Sequence, residues 1–193
     1  NSKGKYSFTY GRLDALIRMP KTANGLWPAF WLMGDDYDQV GWPACGETDI
    51  VEMGHATGMA QGTQDRFFNG ACHWGPAWNN KGDYSRDTTA PYGMQDDFHL
   101  YTCIWTEDEL AMYYDLDEDP NREPYFRMTI TRTAGYENNE LHVGNYFHKP
   151  NFILFNLAVG GNFPGLYDPA QITALNDGPA SMYVDYVRLY VKE

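Results

Sequence analysis

The chain reads as all-β, and three observations carry that reading. Aromatic residues make up 16% of the sequence, with 15 Tyr, 10 Phe and 6 Trp. Its 19 glycines and 11 prolines fall between short apolar runs, where turns belong. Within those runs apolar and polar side chains alternate, the period of a half-buried strand.

The elements follow in order. Tyr6, Phe8 and Tyr10 share one parity; after Gly11 the apolar set changes phase to Leu13, Ala15 and Ile17. A one-residue phase change at a glycine predicts a bulge, or a strand passing from one sheet to another. Pro20 to Gly25 makes a turn, and Leu26 to Met33 is apolar on both faces, as in a covered central strand. Further strands are predicted over Glu47–Met53, Phe67–Trp74, Phe98–Trp105, Leu110–Asp115, Tyr125–Thr131, Phe152–Val159 and Met182–Val191. No long amphipathic helix is expected, although Pro169–Leu175 suits a short helical turn. Long polar connections are expected at Trp78–Asp97, Leu116–Pro124, Thr133–Leu141 and Gly160–Ala180, lengths that often signal function. With no repeat or linker in 193 residues, residues 1–193 form one domain.

Charge narrows the partners. Twenty-six acidic residues against 14 Lys and Arg give a net charge of −12, which opposes nucleic-acid binding and a polybasic membrane surface. No apolar run reaches the ~18 residues of a membrane span. Cys45, Cys72 and Cys103 lack metal-binding spacing and are read as buried small residues rather than a disulfide framework.

The chemistry concentrates in Gly46-Glu47-Thr48-Asp49-Ile50-Val51-Glu52-Met53-Gly54. In a regular strand Glu47 and Asp49 share a face and Glu52 takes the other. One extra bulge residue at Ile50 or Val51 would return Glu52 to the face of Glu47 and Asp49. The two glutamates would then span about four strand steps, with their carboxyl groups leaning to ~5 Å, the separation of a retaining glycosidase. Crowding raises the proton affinity of at least one acid, as a general acid requires. Taken alone, the same triplet also fits a solvated acidic face or a calcium site. Trp27, Trp31 and Trp42 precede or flank it, and His73, Trp74 and Trp78 follow. One such Trp would be core; gathered around an acidic strand they suit stacking on sugar rings.

Leu26-Trp27-Pro28-Ala29-Phe30-Trp31-Leu32-Met33-Gly34 followed by Trp42-Pro43-Ala44-Cys45-Gly46-Glu47-Thr48-Asp49-Ile50-Val51-Glu52 resembles glycoside hydrolase family 16, most of all its bacterial laminarinase branch. Further matches are Tyr10-Gly11-Arg12, Phe98-His99-Leu100-Tyr101, Asn156-Leu157-Ala158-Val159-Gly160-Gly161 and Val184-Asp185-Tyr186-Val187-Arg188-Leu189-Tyr190. The resemblance implies a jelly-roll sandwich of two curved antiparallel sheets and a retaining endo-β-1,3(4)-glucanase. It implies Glu47 as nucleophile, Glu52 as acid/base and Asp49 as the carboxyl that tunes them. Trp42 and His73 match positions near the cleavage point; Trp27, Trp31 and Asn156 match the sugar-binding face. Thr48 replaces a commoner aliphatic residue and should point away from the cleft. No cofactor is required; a structural calcium would use Asp185. The implied partner is a β-glucan, and the implied location is secreted or cell-envelope. Rival readings are action on a galactan, glycosyl transfer to a sugar, a carbohydrate-binding sandwich without catalysis, and a structural calcium-binding sandwich.

About nine strands are readable, and the family normally has more before the segment Ser2–Arg18. The expectation is a domain truncated at its N-terminus, completed by a separate segment or by self-association, because bare sheet edges and apolar faces invite pairing.

Overall fold

The computed structural model describes residues 1–191. Its strands are β1 Ser7–Phe8, β2 Gly11–Arg18, β3 Leu26–Gly34, β4 Glu47–Met53, β5 Phe67–Ala77 and β6 Asn80–Thr89. The rest are β7 Phe98–Trp105, β8 Glu109–Tyr114, β9 Phe126–Thr129, β10 Asn151–Val159 and β11 Tyr183–Tyr190. They form two antiparallel sheets, β1-β10-β3-β4-β5-β6 and β11-β2-β7-β8-β9, packed face to face. This is the sandwich expected.

The phase change at Gly11 is a crossing between sheets. β1 pairs with β10 in one sheet, and β2 pairs with β7 and β11 in the other. Tyr10 (φ 63°) and Gly11 (φ 131°) make the corner. Glycine is needed there, since a Cβ on Gly11 would lie 2.7 Å from the Tyr190 carbonyl oxygen.

Inward-facing side chains of both sheets make one core. Phe30, Phe68, Tyr101 and Phe126 are fully buried, and each such side chain contributes roughly 1.5–3 kcal/mol by burial. Phe68 meets Tyr101, Tyr114 and Tyr125 edge-on, with centroids 5.1–6.2 Å apart. All three cysteines are buried and unpaired, as expected.

The expected loop Trp78–Asp97 contains β6, so that reading is corrected. β6 is an edge strand with little of either face buried, and its charged sequence carries no apolar alternation. Two short helices, α1 Tyr37–Val40 and α2 Ala56–Gln61, were also not foreseen; at four and six residues they are too short for a helical period to show. The turn at Pro169–Leu175 appears as a 3₁₀ helix, Pro169–Gln171. On β11, Val184 and Val187 pair with the buried Ile17 and Ala15 and so face the interior, yet each is 38% exposed.

Candidate active site

β4 carries the acidic row, and its register shows how the row is made. Against β3, Asp49 pairs with Trp31 and Val51 with Phe30, leaving Ile50 as an extra residue. Against β5, Asp49 pairs with Ala71 and Glu52 with Asn69, so Ile50 and Val51 together oppose Gly70. This is the bulge that the acid spacing requires. Ile50 and Val51 are fully buried, while Glu47, Asp49 and Glu52 line a common cavity of about 290 Å³. Thr48 points into the interior, where the Cys72 thiol donates to its hydroxyl at 3.8 Å.

The predicted sugar-face residues lie around the acids. Trp27, Trp31 and Asn156 line the same cavity with Ala29 and Ala158. Trp27 Nε1 donates to Glu52 Oε1 at 2.9 Å, and Trp31 Nε1 donates to Asn156 Oδ1 at 2.8 Å. Asn156 Nδ2 in turn donates to the Trp27 carbonyl at 3.2 Å, and Trp27 stacks on Phe163 at 5.0 Å. Trp27 and Trp31 are thus fixed by their N–H groups as well as by packing. Trp42 is 36% exposed and lies 6.2 Å, centroid to centroid, from His73. Trp74, by contrast, packs on Phe147 in the core, and Trp78 lies exposed beyond the end of β5. A larger hollow of about 780 Å³ lies elsewhere, beside Gly11, Trp105 and Tyr190, and none of the predicted site residues lines it.

His73 joins the acids to β6. Its Nε2 is 3.3 Å from Asp49 Oδ2, and its Nδ1 contacts the Asp83 carboxylate, which also binds Lys81. Sequence reasoning missed Asp83 and Lys81. The visible signal was their charge; what was hidden is the register that sets Asp83 directly opposite His73.

Burial dominates the electrostatics. It pushes Glu47 and Glu52 up to about 8, and the Asp49 charge beside each adds to the rise. His73, the Trp42 indole and Lys81 pull Glu47 partly back, and the Trp27 N–H does the same for Glu52. Burial raises Asp49 too, opposed by His73. For His73 burial works downward, but Asp49 and Asp83 outweigh it and lift the ring to about 9. At neutral pH the cluster therefore holds a protonated imidazole and shares protons among its carboxyls.

Glu47, Asp49 and His73 each place one atom within 4.8 Å of the others, near enough for a metal ion. The chemistry of the donors does not fit one: the ring, set between Asp49 and Asp83 and raised to about 9, is protonated at neutral pH and offers a metal ion no lone pair. Asp185 is exposed at a register shift in β11 and is not part of that cluster.

The family model described as glycosyl hydrolases family 16 matches residues 1–143. The chain belongs to that family. It is similar to glucan endo-1,3-beta-glucosidase A1 of Niallia circulans, 33% identical over 100% of this chain and 26% of that protein. The glucan endo-1,3-beta-glucosidase of Cryptopygus antarcticus is 33% identical over 95% of this chain and 63% of its own length. Among solved structures, a mixed linkage glucan family 16 protein of Bacteroides ovatus, in complex with a product, superposes with a TM-score of 0.83. It is 39% identical, over 97% of this chain and 72% of that one. The chain thus spans about a quarter of the first curated relative and less than two thirds of the second. The cavity lined by the acids lies on the outer face of the six-stranded sheet, where β4 runs between β3 and β5.

Proposed function

We propose that this family 16 chain is a retaining endo-glycosidase acting on β-1,3- or mixed-linkage β-1,3-1,4-glucan. One observation carries the reading: the bulge at Ile50–Val51 sets Glu47, Asp49 and Glu52 along one cavity between Trp27 and Trp31. Glu52, buried and held by the Trp27 N–H, keeps its proton at neutral pH and donates it to the departing glycosidic oxygen. Glu47, in the ionised fraction that proton sharing within the cluster leaves it and that the His73 and Lys81 charges favour, attacks the anomeric carbon from the opposite side and forms a glycosyl ester. Water, deprotonated by Glu52, then attacks that ester, releasing the sugar with its original anomeric configuration and free Glu47. Asp49, between the two, tunes how the protons are shared.

Laminarin, mixed-linkage glucan, agarose and carrageenan, each incubated with the protein and assayed for new reducing ends, test the proposal. Cleavage of either glucan, with the β-anomer appearing first by proton NMR, is expected. Cleavage of the galactans alone would replace the substrate, and binding without new reducing ends would leave a carbohydrate-binding sandwich. A polymeric substrate cannot cross a membrane, which supports action outside the cytoplasm or in the cell envelope. The exposed interior-facing Val184 and Val187 support a covering segment or second copy at β11, for which light scattering is the measurement. Asp185 is kept as a proposed calcium ligand, tested by calcium-dependent melting.

A further inference from the structure

A bulge takes its extra residue out of the ladder, so its backbone polar groups need partners elsewhere. In β4 that residue is Ile50, buried between the sheets, where an unpaired carbonyl would cost about 1–3 kcal/mol. The partner comes from the other sheet. Tyr125, immediately before β9, donates its hydroxyl to the Ile50 carbonyl. Its own backbone is tied by its N–H to the Met112 carbonyl in β8 at 3.0 Å, and its ring packs edge-on against Phe68. Burial pushes the Tyr125 phenol well above its ordinary value, so the donor proton is retained through the neutral range.

Space for this contact depends on Gly70, the β5 residue opposite the bulge. A Cβ there would meet Met112 Sδ at 2.6 Å and Tyr125 Cε2 at 3.2 Å. Gly70 has no positive φ, so its lack of a side chain answers to packing rather than backbone conformation. Bulge, glycine and tyrosine therefore fit as one unit across the sandwich.

We propose that Tyr125 is a positioning residue for the reaction: with Gly70 giving it access, it holds the Ile50 bulge and so sets Glu52 relative to Glu47. Glu47 and Asp49 precede the bulge and are anchored by ladder pairs with β3 and β5 on their own side of it. Glu52 follows it. Loosening the clamp displaces the acid and leaves the nucleophile, so its effect depends on how much protonation the leaving group needs. This inference rests on the glucanase reading above.

Tyr125→Phe keeps the ring and deletes the hydroxyl. Laminarin needs its leaving oxygen protonated, whereas a 2,4-dinitrophenyl β-laminaribioside does not. The kcat/KM of both reports formation of the glycosyl ester. For Tyr125→Phe the expected loss is at least ~10-fold on laminarin and less than about 3-fold on the aryl glycoside, since general acid catalysis is worth 10²–10⁴. Gly70→Ala, which crowds the same contact, should show the same selectivity and serves if the first variant does not fold. Equal losses on both substrates, or none on either, would overturn the clamp. If the wild type cleaves neither substrate, the glucanase reading fails by itself, and amide hydrogen exchange still judges the clamp. Exchange of the Ile50–Glu52 amides should then accelerate in Tyr125→Phe relative to those of β10, and an unchanged ratio would refute it.

Discussion

His73 stands between two carboxylates, and its charge is the one cationic influence that reaches all three acids of the row. The groups facing it are Glu47 and Asp49 on β4, Asp83 and Lys81 on β6, and the Trp42 ring. Asp83→Asn removes one of the carboxylates that hold the ring up at about 9, so the His73 pKa falls. Toward pH 8, where the variant ring is neutral and the wild-type ring is still charged, Glu47 loses that support and keeps its proton longer. Activity at pH 8 should drop several-fold more than at pH 6, where the ring is charged in both, and an NMR titration of the imidazole should show the lower pKa directly. The acids themselves give a sharper test. Glu47→Ala and Glu52→Ala should each lose ~10³-fold or more in turnover on laminarin while keeping the fold. Azide should rescue them with opposite stereochemistry. Without the Glu47 nucleophile it displaces the leaving group directly to an α-glycosyl azide; without Glu52 it opens the glycosyl ester to a β-glycosyl azide. Product analysis by NMR distinguishes these, and wild-type turnover in both variants would remove the assignment. Asp49→Asn should lose less than either.

At the scale of single elements, β4 is a strand that keeps its cavity-facing acids largely out of water, and this sets a pH dependence for stability. Glu47 and Glu52 rise in the fold from an ordinary 4.5 to about 8. A raised group holds its proton more tightly in the folded state, so that stabilisation is complete below pH 4.5 and is lost as pH climbs through about 8. His73, raised to about 9, acts in the same direction over a higher window. Melting temperature should therefore fall from pH 5 to pH 8.5 by several degrees, given roughly 2–4 °C per kcal/mol in a domain of this size. Glu52→Gln should flatten that slope, which differential scanning calorimetry would show. β4 was also the element most legible in the sequence: three acids at those spacings can share a cleft only if an extra residue intervenes, and Ile50–Val51 supplies it. The covered strand β3 and the sheet crossing at Gly11 were legible for the same reason, because side-chain parity is written in the chain. β6 was not, since a strand with both faces largely in water has no parity to display. Asp83 and Tyr125 escaped for a different reason. Each acts on a residue at least ten positions away, Asp83 through strand register and Tyr125 across the core, and local spacing encodes neither.

Over the whole molecule the net charge of −12 faces a proposed substrate that carries none. Screening of surface charge then has little to act on, because stacking and hydrogen bonding to a neutral sugar have no long-range Coulomb component. KM for laminarin should change by less than about twofold between 50 mM and 500 mM NaCl. A strong salt response would instead point to a charged polymer as the true ligand. The corner at Tyr10–Gly11 has a consequence at the same scale. Only Thr9 and Tyr10 separate a strand of one sheet from a strand of the other, and the Gly11 backbone lies against the Tyr190 carbonyl. A tether that short limits how far the two layers can slide or part before β1 leaves β10, so the cleft sheet and the sheet behind it are held in one register.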